Sequence, residues 1–187
     1  MILAKRTSDV DILMVAGLNN SGPEHWQSRW EQRLTTARRI EQPNWAAPAK
    51  DAWVDEVRKA VDAARQPVIL VGHSLGVATI IHAAPLLRPG DVIGAFLVAP
   101  TGDTAIEQED AIDRHFMPVP RLKLPFPAVV VASHDDPYCP FLTAEEYAIA
   151  WGAEFVDAGH SGHLNTASGH GPWPEGLMRF AGFLAKL

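Results

Sequence analysis

Apolar positions along this chain recur in two rhythms. Short continuous apolar runs, DILMVA at 11–16, VILV at 68–71, VIGAFLV at 92–98 and AVVVA at 128–132, are bounded by polar or turn-forming residues. Runs of that kind, rich in β-branched side chains, are how strands covered on both faces read. Between them the spacing changes to three or four: Val54, Val57 and Val61 share one helical face, as do Trp26 and Trp30. Strands are expected near Asp11–Ala16, Arg38–Glu41, Val68–Val71, Val92–Val98, Ala128–Ala132 and Glu154–Val156. Helices are expected from Pro23 to about Thr36, from an Asp51 N-cap to Ala64, and over Leu75–Leu87, Thr143–Trp151 and Glu175–Leu187. Strands alternating with helices predict βαβ units around a sheet. The fold class expected is α/β: a three-layer α/β/α sandwich with a mostly parallel six-stranded sheet, in one domain over residues 1–187.

The longest stretch without Asp, Glu, Lys or Arg is PVILVGHSLGVATIIHAAPLL at 67–87. It has the length of a membrane span, but Pro67, Gly72, Gly76 and Pro85 punctuate it, and His73, Ser74 and His82 are poorly suited to lipid. Strand, sharp turn and buried helix is the reading that accommodates all of these residues. The segment 101–126 shows no sustained period and is expected to carry one short helix near Thr104–Ile112.

The chain has 187 residues, 47% hydrophobic and 20% charged, and no low-complexity tract or repeat. Its formal net charge of −6 argues against nucleic acid or an anionic membrane as main partner, since both select clustered Lys and Arg. Cys139 is the one cysteine, so no internal disulfide can form. Lys5, Arg6, Asp9 and Asp11 break the apolar start before a signal-peptide core could develop. A cytoplasmic protein is expected. Cys139 lies between prolines without a neighbouring base and is not expected to act as a nucleophile.

GHSLG at 72–76 is a G-x-S-x-G pentapeptide placed directly after VILV and before a helix-like segment. In that context the serine of a tight strand-to-helix turn projects above the sheet, and the flanking glycines leave room for the bend. A serine hydroxyl is a weak nucleophile and needs a base, which in turn needs an orienting acid. After AVVVA comes SHDDPYCP, which offers Asp136 as the acid, with Asp135 as the second candidate. After the last expected strand, DAGHSGHLNTASGHGPWPEG offers His163 as base, then His160, then His170. The order Ser, Asp, His is that of α/β-hydrolases. His160, His163 and Asp157 could form a metal cluster, but a His-x-x-His pair in a Gly-rich loop is not pre-organised, and no metal is expected. Backbone N–H groups of Leu75 and Leu18 are the expected donors to a developing oxyanion.

The blocks AGLNNSGPEHWQSRWE, VGHSLG, VASHDDPYC and GHLNTASGHGPWPEG together resemble the small serine hydrolases of the retinoblastoma-binding-protein-nine type. The resemblance spans nearly the whole chain and implies a minimal, lidless α/β-hydrolase fold with a Ser-Asp-His triad on Ser74, Asp136 and His163. The GHLN block separates His163 from His160, which loop chemistry alone does not. The implied activity is hydrolysis of carboxylic esters, and of activated amides, through an acyl-enzyme, without a cofactor, on a small-molecule substrate. The alternative is an interaction module that keeps the hydrolase scaffold without catalysis. Because 100–126 is short, an open site is expected, walled by Trp26, Phe116 and Met117.

Overall fold

The computed structural model describes residues 7–187; Lys5 and Arg6 lie outside the described residues. Six strands, β1 (Asp11–Val15), β2 (Ala37–Arg39), β3 (Val68–Ser74), β4 (Val92–Pro100), β5 (Ala128–Ala132) and β6 (Glu154–Asp157), form one sheet in the order β2-β1-β3-β4-β5-β6. Every neighbouring pair is parallel, so the sheet is parallel throughout.

The strands alternate two buried faces, as their continuous apolar runs require. Leu13, Val15, Leu70, Leu97 and Val130 point into one core, against Trp53, Val57, Val77, Ile80 and Tyr147. Ile12, Met14, Ile69, Phe96 and Val131 point into the other, against Trp26, Trp30, Phe180 and Phe183. The helices thus divide into two layers. α1 (Trp26–Arg33) and α6 (Pro174–Leu184) cover one face; α2 (Lys50–Asp62), α3 (Leu75–Ala83) and α5 (Phe141–Trp151) cover the other, with the short α4 (Asp103–Gln108) beyond β4. This is the three-layer α/β-hydrolase architecture.

Every expected helix forms with shifted bounds, α4 over Asp103–Gln108 rather than Thr104–Ile112, α5 from Phe141 and α6 only to Leu184; for α1, α2 and α3 the structure shows the reason. α1 begins after Pro23, because His25 is its N-cap: its Nδ1 accepts the N–H of Gln27 at 3.2 Å. Asp51 is not the cap of α2 but lies in its first turn, where its charge suits the positive end of the helix. The cap residue is Ala49, and Asp113, distant in sequence, accepts the N–H of Lys50 at 3.0 Å. α3 ends at Ala83 and tightens into a 3-10 turn over Ala84–Leu86, where Pro85 has no N–H to continue an α-helix. Among the described residues no helix is long and apolar enough to cross a membrane.

Candidate active site

The strand order reverses between β1 and β3. The chain leaves β1 toward the face carrying α1 and leaves β3 toward the face carrying α3, which opens a crevice at the carboxyl ends of these two strands. Ser74 ends β3 in that crevice and is the N-cap of α3, with φ 56° and ψ −128°. A serine at positive φ is strained, and such a bend persists only where its surroundings enforce it. Pairing between β3 and β4 also slips here, from His73 with Val98 to Ser74 with Pro100.

The loop after β1 lies against this turn. A Cβ on Gly17 would stand 2.8 Å from Ser74 Cβ and 3.2 Å from Leu75 N, so only glycine allows the two loops to approach so closely. Leu18, which follows Gly17, and Leu75, whose N–H starts α3 and has no helical acceptor, therefore flank the serine. Asn19 and Asn20 both take the left-handed conformation, at φ 61° and 64°. Asparagine tolerates it better than most residues.

This loop is braced from behind by side chains that the sequence did not single out. Arg39 in β2 donates from Nη1 to Asn20 Oδ1 and to the Ser21 carbonyl, both at 2.6 Å, and from Nη2 to Ser28 Oγ at 2.8 Å. Glu31 holds the same guanidinium at 3.1 Å. Gln27, fully buried, accepts the Ser21 hydroxyl at 2.7 Å and donates to the carbonyls of Val15 and Val71, so it ties the loop to the ends of β1 and β3.

Asp136 and His163 are brought together. Nδ1 of His163 lies 2.9 Å from both carboxylate oxygens of Asp136, and both side chains are almost wholly buried. A carboxylate only accepts, so Nδ1 carries the proton and Nε2 is left as the basic nitrogen. Asp136 also accepts the N–H of Tyr138 at 2.9 Å, which fixes its orientation across Pro137. Asp135 does something else. Its Oδ1 accepts the Ser133 hydroxyl at 2.6 Å and the Gly162 N–H at 2.8 Å, fastening the histidine loop to the end of β5. Those two donors hold its carboxyl below the usual range. His160 is exposed and stacks on His134 at 5.4 Å, away from Asp136. His170 makes its hydrogen bond with Ser168.

Ser74, His163, Leu18 and Leu75 line one cavity of about 610 Å³, closed on other sides by Asn20, His25, Thr101, Ile112, Tyr138 and Asn165. The size suits a small organic substrate. In this conformation Ser74 Oγ shares a hydrogen bond with Thr101 Oγ1 at 3.1 Å. The expected walls are corrected. Trp26 and Phe116 are fully buried in opposite cores, Met117 packs on the Phe116 side, and none of the three lines the cavity. Large aromatic side chains near a site favour the core whenever a helix face can bury them, and the wall falls instead to Ala105, Gln108, Glu109 and Ile112 in and after α4.

Burial, reinforced by the Arg39 charge, pushes the His25 imidazole down to about 3, and burial likewise drives His73 well below its ordinary value. In both, burial favours the neutral imidazole. Burial, with the nearby Asp136 and Asp103 charges, pushes the Cys139 thiol up to about 12, which leaves it without nucleophilic character. Among the described residues no group of three or more His, Cys, Asp or Glu is placed to hold a metal ion.

The serine hydrolase family model matches residues 12–182. No curated protein matches the sequence. Among solved structures, a YdeN-like hydrolase from Pectobacterium atrosepticum is 38% identical, with 95% of this chain and 92% of that chain covered and a TM-score of 0.83. The ydeN gene product of B. subtilis, at 20% identity with 92% and 97% covered and a TM-score of 0.75, shares the fold. So does the esterase domain of a Rhodothermus marinus protein, at 14% identity with 90% and 84% covered and a TM-score of 0.68. The family drawn from the sequence blocks is thus the one matched, and the chain belongs to the serine hydrolases, enzymes built on the α/β-hydrolase fold.

Proposed function

We propose that this enzyme hydrolyses carboxylic esters of small molecules, and activated amides, through a Ser74-His163-Asp136 triad. The observation that carries the reading is the Asp136 to His163 pair, 2.9 Å apart and buried, with His163 in the wall of the cavity that exposes Ser74 at a strained turn. In this scheme the Ser74 hydroxyl leaves Thr101 and turns to His163 Nε2. Oγ attacks the acyl carbon as Nε2 takes its proton, and Asp136 stabilises the imidazolium that forms. The N–H groups of Leu18 and Leu75 receive the carbonyl oxygen as it becomes anionic. His163 then protonates the leaving alcohol or amine. Water repeats the sequence on the acyl-enzyme and frees the acid. No cofactor or metal takes part.

The test is covalent. A fluorophosphonate probe should modify the folded protein at one site, and mass spectrometry of the digested product should find the adduct on Ser74. Adduct on another residue, or none on folded protein that hydrolyses p-nitrophenyl acetate, would overturn the scheme.

A further inference from the structure

The residue that carries the base, His163, sits in a loop that no helix or strand holds. Gly159 and Gly162 before it have φ of 68° and 54°, and Leu164 after it has φ 47°. A leucine in the left-handed region costs free energy and stays there only if its neighbours hold it. Two ring N–H groups from the nucleophile's side of the site do so. His73 Nε2 lies 2.9 Å from the carbonyl oxygen of His163, and since a carbonyl only accepts, Nε2 is the donor. Trp26 Nε1 donates to the next carbonyl, that of Leu164, at 2.9 Å.

His73 adjoins Ser74 in the chain and is buried. Its ring touches that of His163 at 4.8 Å and that of His25 at 4.7 Å. From these contacts we infer that His73 is a positioning residue, a strut that sets His163 relative to the strand carrying Ser74, so that Nδ1 meets Asp136 while Nε2 faces the serine. The inference rests on the triad reading above, but its strut can be measured without hydrolysis. The groups that face His163 are Asp136 and Tyr138 from the loop after β5, His73 from β3 and His25 from the start of α1, with His170 beside His25 and His73.

The experiment compares His73→Leu with His73→Gln, whose amide can reach the same carbonyl, in the full chain. His73→Asn, one carbon shorter, takes the place of the leucine variant if that does not fold. Two readouts are taken: kcat and KM for p-nitrophenyl acetate across pH, and the low-field Nδ1 proton signal of His163 by NMR, assigned by its loss in His163→Ala. Without the strut kcat should fall roughly 100-fold with KM little changed, as for a reacting group displaced by about 1 Å. The Nδ1 signal should broaden as the imidazole loosens from Asp136, and His73→Gln should recover most of each effect. A folded His73→Leu with unchanged kcat and an unchanged Nδ1 signal would overturn the inference, as would a glutamine variant no better than leucine. If Ser74→Ala keeps full activity in the same assay, the triad reading has failed, and the Nδ1 signal alone decides on the strut.

Discussion

Ser74→Ala should lower kcat for p-nitrophenyl esters by about 10⁶-fold while the protein keeps its fold and its melting temperature within a few degrees. The magnitude follows from what remains. Without Oγ there is no acyl-enzyme, and His163 and Asp136 have no hydroxyl to activate, so the acid-base pair and the nucleophile are lost together. In the proposed scheme the N–H groups of Leu18 and Leu75 still stand in the cavity, which leaves a residual advantage of roughly 10³ to 10⁴ over water. Stability should change little, since Ser74 is only partly buried and its side-chain hydrogen bond goes to the hydroxyl of Thr101. Asp136→Asn should cost less, about 10⁴-fold, because an amide facing Nδ1 favours the wrong tautomer without removing the nucleophile. Steady-state kinetics with burst-phase measurement checks both. A loss of only tenfold in Ser74→Ala would mean that another group attacks the ester.

Gly76→Ala should prevent the protein from folding stably, although Gly76 lies in a helix where alanine is ordinarily the better residue. A Cβ there would stand 2.1 Å from the Val15 carbonyl oxygen, 2.7 Å from its carbon and 2.8 Å from the Ala16 carbonyl oxygen. All three are backbone atoms at the end of β1, a strand fixed on both sides by β2 and β3. No side chain can rotate away, so α3 must lift off the sheet. That opens the crevice and detaches Leu75 from Gly17. We expect a loss of at least about 4 kcal/mol, beyond the usual range for a single substitution, seen as aggregation or as a much lower urea midpoint. Gly182→Ala supplies the control. It lies exposed within α6 with nothing within 4 Å of its Cβ, so alanine should stabilise by roughly 0.5–1 kcal/mol. If Gly76→Ala behaved like Gly182→Ala, the close contact of α3 with β1 would be refuted.

Much of this was legible in the residues because the relevant signals are local. The strands read correctly as continuous apolar runs, and the serine turn read correctly because glycines, strand and helix adjoin it within a few residues. The weak strand expected at Arg38–Glu41 lies instead at Ala37–Arg39, since ARR has no apolar character to mark its bounds. What failed was long-range. Asp113 caps α2 from far along the chain, and nothing near Asp51 announces it. Nothing near Arg39 in the sequence announces its burial against Asn20, Ser21, Ser28 and Glu31, which supports the loop beside the serine. Trp26 and Phe116 read as walls in the sequence because a bulky ring near a site reads alike from either side of it. Asp135 and Asp136 illustrate the same limit: adjacent in sequence and identical in type, they differ only in which partners the folded loops present.

The parallel order of the sheet has a consequence for how activity arises during synthesis. Val15 pairs with Gly72, and the groups around the cavity come from the segments at Leu18, Ser74, Asp136 and His163. None of these can meet through a hairpin, so each depends on contacts between distant parts of the chain, the kind that form late and slowly. On the proposed triad, a nascent polypeptide emerging from the ribosome therefore exposes Ser74 well before His163 has been made, and hydrolysis waits for that later segment.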